Sequence, residues 1–115
     1  MKLNELFELY LEDIDLTHQD TTLDSIRYVY NSGLAKKYGK KKLESIKFKE
    51  IKKYQKELLN GKHKTKDGKT YSISYINKII ALLKRLLKYA NIMSYGNFTV
   101  TQIRGLESVT SIIDK

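Results

Sequence analysis

Cysteine and proline are absent from these 115 residues, and histidine occurs only twice. Without cysteine there is no disulfide framework, no thiolate metal site and no cysteine nucleophile. His18 and His63 are too few for a His-rich metal site. Both fall in expected loops, where an ordinary surface histidine is the default over a general base. The lack of cysteine fits a reducing compartment, and the expected location is cytoplasmic. No run of about 18 apolar residues occurs, so no membrane span is expected. The opening MKLNELFELYLED is acidic and amphipathic, unlike the apolar core of a signal peptide. A Gly-rich phosphate loop, an HExxH pair and a Ser-centred elbow are all missing. The expected chemistry is therefore binding rather than turnover, with no catalytic residue, no cofactor and no metal.

What is present fits one globular domain, 41% hydrophobic and 30% charged. The net charge of +9 is segregated along the chain. Residues 1–35 hold two basic and seven acidic residues, 36–69 fourteen and four, and 70–115 six and two. Such segregation is expected where one side of a protein meets a polyanion. Composition alone leaves a solvated lysine-rich surface equally open.

The chain is organised around its stretch 71–95, which contains no glycine and no proline and reads as one long helix. Ile73, Ile76, Ile80, Leu83, Leu87 and Ala90 share one face at three- and four-residue steps. Ile79, Leu82, Leu86, Tyr89 and Met93 form a second apolar stripe beside it. The remaining strip is narrow and polar: Ser74, Asn77, Lys78, Ala81, Lys84, Arg85 and Lys88. A helix this apolar is the buried centre of a helical domain.

Three helices are expected before it. The first, about 3–15, buries Leu3, Leu6, Phe7, Tyr10, Leu11 and Ile14. The second, about 21–36, carries Leu23, Ile26, Tyr30 and Leu34, is capped by Asp20 or Thr21, and bends or frays near Gly33. The third, about 48–60, buries Ile51, Tyr54 and Leu58 and presents Lys49, Lys52, Lys53 and Lys56. Gly39 reads as a left-handed C-terminal cap or turn inside the run Lys36–Lys42, which holds five lysines. A basic loop, 61–71, has a turn signal at Asp67-Gly68 and flanks suited to a short β-hairpin. Ser72 is placed to cap the long helix. Phe98, Val100, Ile103 and Leu106 are placed to fold back on the core. The fold class is all-α, a four- to five-helix bundle.

Cations that displace condensed counterions from phosphates are the first source of nucleic-acid affinity. The candidate contacts are Lys36, Lys37, Lys40 and Lys41 in the first basic run, and Lys62, Lys64 and Lys69 in the second. On the long helix they are Lys78, Lys84, Arg85 and Lys88. Ser72, Ser74, Tyr75 and Asn77 add uncharged donors in its first turns, suited to phosphates or base edges. A helical protein-interaction domain with solvated basic loops is the alternative. A helix-turn-helix is disfavoured by the eleven-residue loop before the long helix.

The order of landmarks resembles a known family. Thr22, then Gly39, Leu43, Ile46, Ile51 and Tyr54, then Leu58, then Ser74-x-Ile76-Asn77-Lys78, then Leu83, Leu87 and Tyr89-Ala90 are similar to the core-binding domain of tyrosine recombinases, the phage-type and transposon-type integrases. The resemblance spans residues 3–98. It implies a SAM-like bundle that forms half of a C-shaped clamp on double-stranded DNA. The second and fourth long helices and adjacent loops would touch the core-type site. Ser74, Asn77 and Lys78 stand where the family has Ser or Thr, Asn and Arg; lysine for arginine gives up bidentate contact. Lys47 replaces a usual Ser or Thr, and Gly96-Asn97-Phe98-Thr99 replaces a usual Asn-Pro.

The family's catalytic arginines, lysine, histidine and tyrosine belong to a separate domain, so this chain is expected to be non-catalytic, one module of a longer integrase. Residues 1–98 would be the core-binding domain and 99–115 a tail toward the catalytic domain. The implied partners are DNA, that catalytic domain and other recombinase protomers on DNA. The isolated domain is expected to be monomeric and to have no membrane partner.

Overall fold

Ile73–Ile92 form the longest helix, α5. In the computed structural model, which describes residues 1–14, 20–65 and 67–99, it is preceded by α1 (Leu3–Ile14), α2 (Asp20–Val29), α3 (Ala35–Tyr38) and α4 (Phe48–Leu59). The result is the all-α bundle that the periodicities predict. Side chains of residues 20–22 are not described, so the expected cap at Asp20 or Thr21 lies outside the described residues, as do His18, Lys66 and everything from Val100 onward.

α5 buries Ile76, Ile79, Ile80, Leu82, Leu83, Leu86, Leu87 and Ala90, and touches α1, α2 and α4. Burying a Leu or Ile side chain contributes about 1.5–3 kcal/mol, so α5 supplies more packing energy than any other described element. Both of its expected stripes are inside except toward their ends: Ile73 and Tyr89 are half-buried and Met93 is exposed. Ser72 caps its start, its Oγ accepting from the Tyr75 amide at 3.2 Å. The helix stops three residues before the expected Tyr95. Ser94 takes a left-handed φ of 62° there. The Tyr95 amide then donates to the Ala90 carbonyl at 2.8 Å and the Ser94 amide to Asn91 at 3.2 Å. This is a Schellman ending with serine where glycine is usual. The Asn91 side chain then bonds both backbone groups of Phe98 (2.7 and 2.8 Å), and Phe98 packs on the core as expected.

The second helix runs further than expected, to Tyr38, because it widens rather than breaks. Tyr30–Leu34 form a single π turn between α2 and α3, with right-handed helical dihedrals at Val29, Leu34 and Ala35. Tyr30, Leu34 and Tyr38 are spaced by four. In an α-helix each such step overshoots a turn by about 40°, so the third side chain would swing about 80° from the first. A wide turn absorbs that drift, and all three side chains are at most 3% exposed. Tyr30 stacks on Phe7 of α1 with ring centroids 3.8 Å apart.

Gly39 is not left-handed: its φ is −54° and its ψ −38°. Glycine fits there for space, since a Cβ would stand 2.5 Å from the Asn4 side-chain oxygen. The stretch after α3 is tied to the start of α1. The Leu3 amide donates to the Lys41 carbonyl (3.1 Å), Asn4 to Gly39 (3.0 Å), and Leu43 to Met1 (2.9 Å). Backbone carbonyls of the lysine run thus satisfy amides that a helix start leaves open. After α4, Gly61 at φ 78° closes a second Schellman turn, with the Lys62 amide on the Glu57 carbonyl at 3.0 Å. The expected hairpin reduces to one antiparallel bridge, Lys64 to Thr70, closed by a left-handed Gly68.

Candidate nucleic-acid interface

The π turn forms one wall of a groove of about 480 Å³. Tyr28, Asn31, Ser32 and Lys36 line it from the α2–α3 path, Lys64 and Thr65 from the basic loop, and Tyr71, Ser72 and Tyr75 from the start of α5. Hydroxyls knit these pieces together. Ser32 Oγ donates to the Val29 carbonyl at 2.9 Å. A hydroxyl has one proton, so Tyr75, 2.8 Å away, is the donor to Ser32 Oγ. Tyr71 donates to the Ser32 carbonyl at 3.2 Å. The Tyr71 and Tyr75 rings lie parallel, 5.4 Å between centroids. Burial raises the Tyr71 pKa, with the neighbouring Tyr75 and Tyr28 adding to it.

Further along the same two helices is a second, shallower groove of about 250 Å³. Ser25, Ile26 and Val29 form its α2 side; Lys78, Ala81, Leu82 and Arg85 form its α5 side. Tyr28 and Val29 are adjacent residues, and Tyr75 and Lys78 sit three apart on one helix face. The two grooves share no lining residue, but both lie between the α2–α3 path and α5, and together they make up a valley along that pair of elements. Among the described residues lining it there are four cations, Lys36, Lys64, Lys78 and Arg85, and no carboxylate.

The valley takes in only part of the expected set. Ser72, Tyr75, Lys36, Lys64, Lys78 and Arg85 line it. Ser74, Lys40, Lys69 and Lys88 are exposed outside its lining. Lys41 lies over the Tyr38 ring, 5.7 Å from its centre. Lys84 is half-buried and about 100° around the helix from Arg85. Asn77 is likewise half-buried.

Lys37 and Lys62 are engaged elsewhere. Both reach the Glu57 carboxylate of α4, at 3.5 and 3.4 Å, and His63 Nε2 donates to it at 3.0 Å. These partners, His63 first, outweigh the opposing effect of burial and pull the Glu57 pKa down to about 2. The His63 ring also meets the Tyr54 ring edge-on at 5.4 Å, and Lys37 lies over the same ring at 5.9 Å.

A family model described as phage integrase, N-terminal SAM-like domain, matches residues 2–59, half of the chain. The chain belongs to this integrase family. Comparison with curated proteins and with solved structures returns no match. The matched segment runs from the start of α1 to the last residue of α4, and so includes the π turn, Lys36 and Glu57. A SAM-like domain of this type is the non-catalytic part of a tyrosine recombinase, which ties the chain to site-specific recombination.

Some groove residues of this SAM-like domain escaped the sequence. Tyr28, Asn31 and Ser32 lie on the α2–α3 path, opposite the buried stripe of Leu23, Tyr30 and Leu34. They carry no charge, and a search led by lysine runs passes over them. The signal available was Tyr28, a large ring off the apolar stripe; it is 60% exposed.

Proposed function

We propose that the valley between the α2–α3 path and α5 holds duplex DNA, and that the chain serves as the non-catalytic clamp domain at the core-type site of a site-specific recombinase. One observation carries this reading. Three separate stretches of sequence supply cations to two grooves along the same pair of elements, Lys36 and Lys64 to one and Lys78 and Arg85 to the other, and neither lining contains a carboxylate. Cations so arranged gain affinity by releasing condensed counterions from the phosphates. The first-turn amides of α5 add dipolar attraction at the groove mouth. Asn31 and Tyr75 offer uncharged groups for base edges, while Lys78 acts as a point charge without bidentate geometry. The resemblance implies contacts through the second and fourth long helices, and the same pair of elements borders these grooves. The catalytic domain of the same protein and other protomers on DNA are the further partners of this reading, and the cytoplasm its setting.

The test is fluorescence anisotropy of a labelled duplex titrated with the chain at several salt concentrations. Binding that weakens steeply with salt, with a slope of about four phosphate contacts, is the expected result. No binding at low salt would reject the reading and leave the basic surface merely solvated.

A further inference from the structure

We propose that Glu57 is a positioning residue for DNA binding: it fastens the two basic stretches to α4 in the arrangement that builds the groove at the π turn. The proposal rests on the DNA reading above. Glu57 carries a negative charge in the most basic third of the chain, where bulk electrostatics would have it oppose DNA. Its contacts give it a different task. One carboxylate oxygen takes Lys37 and His63, at 3.5 and 3.0 Å, and the other takes Lys62 at 3.4 Å. Lys37 belongs to the first basic stretch, and Lys62 and His63 to the second. Each groove lysine is the immediate sequence neighbour of a fastened residue: Lys36 follows Lys37 back along the chain, and Lys64 follows His63 forward. The Glu57 carbonyl adds a backbone bond to Lys62 at 3.0 Å, and the Tyr54 ring backs both Lys37 and His63. With its side chain 11% exposed, Glu57 sits under these side chains rather than out in solvent.

The experiment compares wild type, Glu57→Gln and Glu57→Asp for duplex binding across a salt series, with amide hydrogen exchange measured on the same three proteins without DNA. Removing a negative charge tightens DNA binding on a bulk-charge account and steepens the salt slope, since Lys37 and Lys62 are released to phosphates. The positioning account expects the opposite sign. Glu57→Gln should bind about tenfold more weakly at 0.1 M salt, with the slope shallower by about one phosphate contact. Glu57→Asp, which keeps the charge, should recover most of the loss. The amides of Thr65 and Lys69, bonded within the loop, should exchange faster in Glu57→Gln while the centre of α5 is unchanged. Equal or tighter DNA binding by Glu57→Gln would overturn the proposal. If even wild type fails to bind, the DNA reading fails first. Faster loop exchange would then still support the fastening, and unchanged loop exchange would overturn it.

Discussion

The hydroxyl of Tyr54 occupies the space that a side chain on Gly33 would need. A Cβ at Gly33 would stand 2.5 Å from it and 3.4 Å from Ile79 Cδ1. Tyr54 is 2% exposed and its ring is held edge-on by Tyr38, at 5.5 Å between centroids, so it cannot swing clear at little cost. Gly33→Ala should therefore lose about 1–3 kcal/mol by overpacking, measured by urea denaturation. Tyr54→Phe removes the clashing atom. Gly33→Ala should cost clearly less in that background, and a double-mutant cycle with no coupling would contradict the contact.

Ser94 ends α5 in a conformation that costs an L-residue about 1–2 kcal/mol. Ser94→Gly should stabilise the domain by about 0.5–1 kcal/mol, the relief of strain less the greater freedom of glycine in the unfolded chain. A thermal melt that shows no gain would mean the Tyr95-to-Ala90 closure is not held as described.

Acid should unfold the domain partly through Glu57. Its folded pKa of about 2 lies below the ordinary 4.5, held down by His63, Lys62 and Lys37 against the effect of burial. Folding thus favours the ionised form. The stability from this group is fully present above about pH 4.5 and is lost as pH falls toward 2. Denaturation midpoints for wild type should fall across that window, and Glu57→Gln should show a flatter profile there. Parallel profiles would show that Glu57 is not the titrating group.

How far the sequence carries these features depends on what periodicity can express. The stripes of α1, α4 and α5 repeat at three and four residues, and their apolar members are buried from Leu3 to Leu11, Ile51 to Leu58 and Ile76 to Ala90, with Tyr10, Ile14 and Tyr89 half-buried at the margins. The Ser72 cap was equally legible, because a short hydroxyl side chain before an apolar run has one obvious use. The π turn was not. Tyr30, Leu34 and Tyr38 at intervals of four look like ordinary helix, and only the burial of all three shows where the extra residue went. Gly39 does stand in a turn, but not a left-handed one; glycine fits both a left-handed turn and a place where another chain segment comes close. Charge runs located the basic stretches but not their division of labour. Lys36 and Lys37 are neighbours in sequence, yet one lines the valley and the other pairs with Glu57, a difference set by the helix register and by a carboxylate twenty residues away.

The claim that DNA lies along one particular face is tested most directly by moving the same charge on two faces. Lys78 and Arg85 line the valley, whereas Lys49 and Lys53 are exposed on α4 and line neither groove. Each pair is reversed to glutamate, and duplex affinity is measured by anisotropy at 0.1 M salt. Lys78→Glu with Arg85→Glu should weaken binding on the order of 50-fold, the worth of two phosphate contacts. Lys49→Glu with Lys53→Glu should weaken it only a fewfold, through the screened field of the whole molecule. Equal losses from the two pairs would contradict the account, because bulk charge alone would then explain the binding.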